Sequence, residues 1–143
     1  MSVSPSAFRQ YSSRDGRQHW KDLLDIAVSG GVAVVRRRSP VVLVDRDVLD
    51  EALAATHPFN VQVSFSDGGV AMWIDGLSVH GYGSDLHEAE EELLDSLLDY
   101  AESWVEDLHA APNHRENAGI VRRVLAFVDD REQLHRAVFD ESE

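Results

Sequence analysis

Phe59-Asn60-Val61-Gln62-Val63-Ser64-Phe65-Ser66-Asp67-Gly68-Gly69-Val70-Ala71-Met72-Trp73-Ile74-Asp75-Gly76 is the stretch on which the architecture turns. Val61, Val63 and Phe65 alternate with Gln62 and Ser64, the period-two pattern of a half-buried strand over Phe59 to Ser66. Asp67-Gly68-Gly69 has the chemistry of a hairpin turn, and Val70 to Ile74 is the return strand. Asp75 and Gly76 turn the chain again, and Leu77 to Tyr82 predicts a third strand. Asp85 and Glu88 then stand at capping-box spacing at the start of a long helix. Leu86, Ala89, Leu93, Leu94, Leu97, Leu98, Ala101, Trp104, Val105 and Leu108 form its apolar stripe, and Glu90, Glu91, Glu92, Asp95, Asp99, Glu102 and Glu106 fill the opposite face. One amphipathic helix laid on three antiparallel strands predicts a two-layer α+β domain.

Upstream, Thr56-His57-Pro58 marks a linker, because a proline pushes the residue before it out of helical geometry. Before it lies a second, smaller pattern. A short strand over Ala7 to Tyr11 leads to Ser12 and Ser13 as N-cap candidates and a helix from Arg14 to about Ser29. Trp20, Leu23, Leu24, Ala27 and Val28 would share its apolar face, with Gly30 and Gly31 closing it. Val32 to Arg37 and Val41 to Val44 predict strands around an Arg38-Ser39-Pro40 turn, and Asp45 or Asp47 can cap a helix to about Ala55. Downstream, Pro112 breaks the long helix. Ile120, Val121, Val124, Leu125 and Val128 resume helical spacing, and Asp129 or Asp130 can cap a last short helix carrying Leu134, Ala137 and Val138. The expected division is residues 1–56, 58–110 and 111–143.

The formal net charge of the 143-residue chain, −13, hides an asymmetry. Residues 1–46 hold eight Lys and Arg against four Asp, a net of +4, while residues 47–143 hold five basic and 22 acidic residues, a net of −17. Such halves suit different partners, a polyanion for the first and a basic protein for the second. The chain has no cysteine, which excludes disulfides and thiolate metal sites. No apolar run approaches the roughly 18 residues that read as a membrane span, and Met1 to Gln10 lacks the apolar core of a secretory signal, so a cytoplasmic protein is expected.

Two family patterns flank Pro58. Arg17-Gln18-His19-Trp20-Lys21-Asp22-Leu23-Leu24-Asp25, then Gly30-Gly31-Val32, then Arg36-Arg37-Arg38-Ser39-Pro40-Val41-Val42-Leu43-Val44 resembles Phd/YefM-type antitoxins across about residues 6–55. Arg38 falls near the position where that family usually carries a glycine. Asn60 to Phe65, Asp67-Gly68-Gly69, Ile74-Asp75-Gly76-Leu77, Val79 to Gly83 and Asp85-Leu86-His87-Glu88-Ala89 resemble a HicB-type antitoxin domain across about residues 58–108. The resemblances imply a bacterial antitoxin without catalytic activity or cofactor. It would form a homodimer or higher even oligomer, repress its own operon by binding operator DNA, and neutralise a cognate toxin protein.

Candidate site residues divide along the same line. Arg9, Arg14, Arg17, Lys21, Arg36, Arg37 and Arg38 are the DNA-binding candidates, Arg17 matching the resembled family's first-helix Arg. A solvated basic face and a charge-protected strand edge are the structural alternatives. Trp20 and Val41 to Val44 are candidates for a dimer interface, or simply core. Glu91, Asp95, Asp99 and Glu102 offer an acidic surface to a basic toxin. Ile120, Val124, Phe127 and Leu134 could lie in a partner's groove or fold back on the chain's own sheet. Two rival functions stay open: a stand-alone transcriptional regulator, and a small enzyme built on Asp67, Asp75 and His80. No histidine pair has useful metal-ligand spacing, and His87-Glu88 lacks the second histidine of a metalloprotease motif.

Overall fold

The computed structural model describes residues 10–140 and divides into two compact units, Met1–Ala52 and Leu53–Glu143. In the first unit, β1 (Gln10–Ser12) pairs parallel to β2 (Ala33–Arg36), which pairs antiparallel to β3 (Val41–Leu43). Of the expected first strand, Ala7 to Arg9 lies outside the described residues. Parallel pairing needs a crossover, and here α1 (Ser13–Gln18) and α2 (Trp20–Val28) supply it. Ser12 caps α1, its hydroxyl accepting from the Asp15 N–H at 3.1 Å.

The single helix expected from Arg14 to Ser29 is two helices. His19, at φ −117° and ψ 31°, breaks the run. Within α2 the buried side carries Leu23, Ile26 and Ala27, while Trp20, Leu24 and Val28, one turn apart along the other edge of the expected apolar face, are exposed. Gly30, at φ +89°, closes α2 in the left-handed region that favours glycine. The core of this unit is Tyr11, Leu23, Ile26 and Ala33, with Val35 and Leu43 packed against them. The boundary between the units falls within α3 (Arg46–Ala54), which stops four residues before Pro58.

In the second unit, β4 (Val61–Ser66), β5 (Gly69–Ile74) and β6 (His80–Gly83) form an antiparallel meander. The hairpin and its register are as the alternation predicts, with Val61 opposite Ile74 and Phe65 opposite Val70. The third strand begins three residues later than expected, because Leu77 to Val79 is still turning, although Val79 is buried. Along α4 (Leu86–Glu106), Ala89, Leu93, Leu94, Leu97 and Ala101 are buried. The helix lies close to the sheet because β6 is glycine-rich: a Cβ on Gly81 would stand 2.2 Å from the Ala89 carbonyl oxygen.

The tail joins this unit. α5 (Ala118–Ala126) and α6 (Arg131–Phe139) contribute Ile120, Val121, Val124, Leu134 and Val138, with Phe127 between the helices, to one core with Phe59, Met72, Ile74 and Leu97. Polar contacts fasten the tail back on the unit. Arg123 is buried, donates from Nη1 to the His57 carbonyl at 3.0 Å, and lies 4.3 Å from the centre of the Phe59 ring. The Tyr100 hydroxyl bonds both His114 Nδ1 and Asn117 Nδ2 at 2.8 Å.

Candidate nucleic-acid interface and acidic surface

The cations of the first unit come from two elements that the chain ties together. Ser13 opens α1, and its hydroxyl donates to the Arg36 carbonyl at the end of β2 at 3.3 Å. Helix and hairpin then share a groove lined by Arg17 and Trp20 on one side and Arg37 and Val41 on the other, with Leu23 buried beneath. Arg14, Arg17, Lys21, Arg37 and Arg38 are exposed, and none forms an ion pair with a described residue. Unpaired guanidinium groups keep all their donors available to phosphate oxygens. Arg36 is exposed but already has a partner, and Arg9 lies outside the described residues. Beside the cations, Trp20 is 53% exposed and Val41 50%, apolar surface of helix and edge strand that lines the same groove.

The acidic candidates separate into two pairs. Asp99 and Glu102 are exposed and bond to no described residue. Glu91 and Asp95 are engaged: Arg131 of α6 reaches both carboxylates at 2.8 Å and also the Glu91 carbonyl at 3.0 Å. Burial works against the charged guanidinium, but the hydrogen bonds to Glu91 and Asp95 outweigh it and hold Arg131 above its ordinary pKa. Next to this latch, His135 Nε2 meets Glu90 Oε2 at 2.5 Å. These contacts span 36 to 45 residues of sequence, so no local spacing announces them. Ile120, Val124, Phe127 and Leu134 are interior, at 9%, 0%, 5% and 0% exposure, in the core of their own unit, the second of the two positions expected for them.

Sequence reasoning missed a third set. Glu88, Glu92 and Ser96, each one helical turn from the next, reach the backbone N–H groups of Ser84, Tyr82 and His80 at 2.8, 2.9 and 3.4 Å. Four helical residues rise about 6 Å and two strand residues about 6.6 Å, so the two ladders stay in step. The signal available in the sequence was Gly81 and Gly83, which alternate with the capped residues and let the helix approach. The Ser84 backbone N–H and then its hydroxyl hold the Glu88 carboxyl below its usual range. The capping box is thus shifted: Asp85 accepts from the Glu88 N–H at 2.9 Å, but Glu88 returns to Ser84 instead of Asp85.

Asp67 and Asp75, the acid/base pair of the enzyme reading, occupy the turns at opposite ends of β5. Six strand residues separate them by roughly 20 Å, so the two carboxylates do not converge. Among the described residues no three His, Asp or Glu side chains gather as metal ligands, and no helix is long and apolar enough to cross a membrane.

The chain is thus a small, cation-faced unit followed by an anionic sheet-and-helix unit. A family model described as PHD-like, antitoxin of toxin–antitoxin, RelE/RelB system, matches residues 8–138, and the chain belongs to that family of antitoxins. The match runs through both units, so one family covers the stretch over which two separate resemblances were expected. Among solved structures, an antitoxin part of a proposed toxin/antitoxin system from Syntrophomonas wolfei subsp. wolfei is similar, with a TM-score of 0.68 and 18% identity over 92% of this chain and 97% of that one. At that identity the likeness is one of fold. No curated protein matches.

Proposed function

We propose that this antitoxin works by division of labour. The first unit, in the manner of Phd/YefM proteins, binds operator DNA as a homodimer and represses its own operon. The second, HicB-like in its strand order, holds a cognate toxin. The observation that carries the reading is the charge partition together with its availability: Arg14, Arg17, Lys21, Arg37 and Arg38 are exposed and unpaired among the described residues, while Asp99 and Glu102 are exposed and unpaired on the other unit.

A reader of about 50 residues makes few DNA contacts, so affinity calls for two copies and a palindromic site. Trp20, Val41 and Val42 supply the apolar surface for that two-fold contact. Arg17 and Arg37 reach phosphates or base edges, with Arg14, Lys21 and Arg38 around them and Arg9 and Arg36 as the remaining cations of the half. On the acidic side, Asp99 and Glu102 steer a cationic toxin, whose RNA-binding surface would be basic for the same reason that RNA is anionic. Glu91 and Asp95 act one step back, by fixing α6 through Arg131.

The test is a titration of the full chain against the DNA upstream of its own gene, read by fluorescence anisotropy, alongside co-purification with the protein encoded by the neighbouring gene. Specific DNA binding that weakens steeply with salt, plus a stoichiometric complex, supports the reading. Failure of both removes it.

A further inference from the structure

The two edges of the second sheet are treated oppositely. At β6, alternate outward N–H groups are occupied by Ser96, Glu92 and Glu88, so that edge is closed to any other chain. At β4 the edge is open. The turn at Asp67 and Gly68 closes on the Ser66–Gly69 pair. Antiparallel alternation then directs the backbone groups of Phe65, Val63 and Val61 away from β5. Natural edges are blunted by charge, proline, a bulge or a covering element. From Val61 to Ser66 there is no charged residue and no proline, and the six-pair register with β5 has no bulge.

The side chains add a second observation. Val61, Val63 and Phe65 are paired opposite Ile74, Met72 and Val70, so they lie on the face that carries the core. Yet Val63 is 41% and Phe65 71% exposed, because the long helix covers β5 and β6 and stops short of the outer half of β4. The strand leaves both its backbone groups and its apolar side chains unfinished.

We propose that β4 pairs with β4 of a second copy of this chain, antiparallel and centred on Val63. The sequence suits its own reversal. Val61 would stand opposite Phe65, Val63 opposite Val63, and Gln62 opposite Ser64, so apolar meets apolar on one face and polar meets polar on the other. The pattern's own reversal symmetry selects this occupant. A basic partner strand would find no carboxylate on β4, whereas two copies of an anionic unit meet along a line that bears no charge. The result is a six-stranded sheet whose outer edges are both capped. This contact is separate from the dimer surface proposed for the first unit, and it stands whether or not that unit binds DNA.

Because the chain contains no cysteine, one introduced thiol reports the register. In the proposed pairing the two Val63 Cα atoms would lie about 5.5 Å apart, within disulfide range. Under mild oxidation the full-length Val63→Cys variant should become a covalent two-chain species, and Ser64→Cys, whose opposite neighbour is Gln62, should not. Independently, Phe65→Lys added to Val63→Cys should remove the covalent two-chain species with no loss of circular dichroism signal. Added salt should raise the wild-type share of the larger species, since it screens repulsion between the two anionic units. Equal cross-linking at positions 63 and 64, or cross-linking of Val63→Cys that Phe65→Lys leaves unchanged, overturns the proposal.

Discussion

Among the described residues the first unit encloses five apolar side chains and leaves Trp20, Leu24, Val28, Val32, Val41, Val42 and Val48 exposed; the second encloses sixteen, leaves Val63, Phe65, Tyr82, Leu86, Val105 and Val128 exposed, and draws its own tail into the core. Small domains bury too little surface to be robust alone, and oligomerisation or ligand binding commonly supplies the remainder. On the proposed function, a partner copy would cover the first unit's apolar surface and a polyanion would meet its unpaired cations, which would couple binding to stability there. The second unit has the larger core, so changes on its surface should matter less to its folding. The two kinds of interface should respond differently to mutation.

The largest effect is expected inside the second core. Leu134, fully buried, should cost about 2–5 kcal/mol when truncated to Ala, as large-to-small core changes do. Urea unfolding followed by tryptophan fluorescence measures it, and a cost below about 1 kcal/mol would mean that the tail is an appendage and not core. Next comes Arg17→Ala, which should weaken operator binding by about 1–3 kcal/mol while leaving the urea midpoint and toxin binding unchanged. A parallel loss of stability would show that Arg17 supports the fold of the smaller unit.

Arg131→Met should cost about 1 kcal/mol or less, since its ion pairs with Glu91 and Asp95 are partly exposed, and should loosen α6 without unfolding the unit. Amide exchange along residues 131–139 is the readout. The smallest effect is a pH dependence at Glu88. Its folded carboxyl is held below the usual value by Ser84, so it contributes stability above the ordinary glutamate range and loses that contribution as pH falls through the depressed value. Glu88→Gln should flatten that part of the acid-unfolding profile, and an unchanged profile would deny the capping role.

The legible part of the molecule was local. The β4–β5 hairpin, the Asp85 cap, the span of α4 and the stop before Pro58 all reflect patterns within a few residues. The break at His19 was not legible, because neither glycine nor proline stands at it and α1, Ser13–Gln18, carries no apolar side chain whose spacing could register the change. Trp20, read as interface candidate or core, is exposed. The acidic face was read as one surface, but its Glu91 and Asp95 are claimed by Arg131 about 40 residues later, and Glu88 and Glu92 by backbone groups of a neighbouring strand. Pairing at such distance is set by tertiary packing, which periodicity does not encode. On the basic side, the groove shared by Arg17 and Arg37 unites two elements that the sequence showed only as separate clusters.

The central claim is that one half of the chain answers to a nucleic acid and the other to a protein. Its most direct test measures, on one preparation, the affinity of the wild type and of an Arg14→Ala, Arg17→Ala, Arg37→Ala triple variant for upstream DNA across a salt series, and for the neighbouring gene's product at fixed salt. The account predicts a steep negative salt slope that shallows by about three contacts' worth in the variant, with toxin affinity unchanged. A slope that does not change, or the loss of both affinities together, would contradict it.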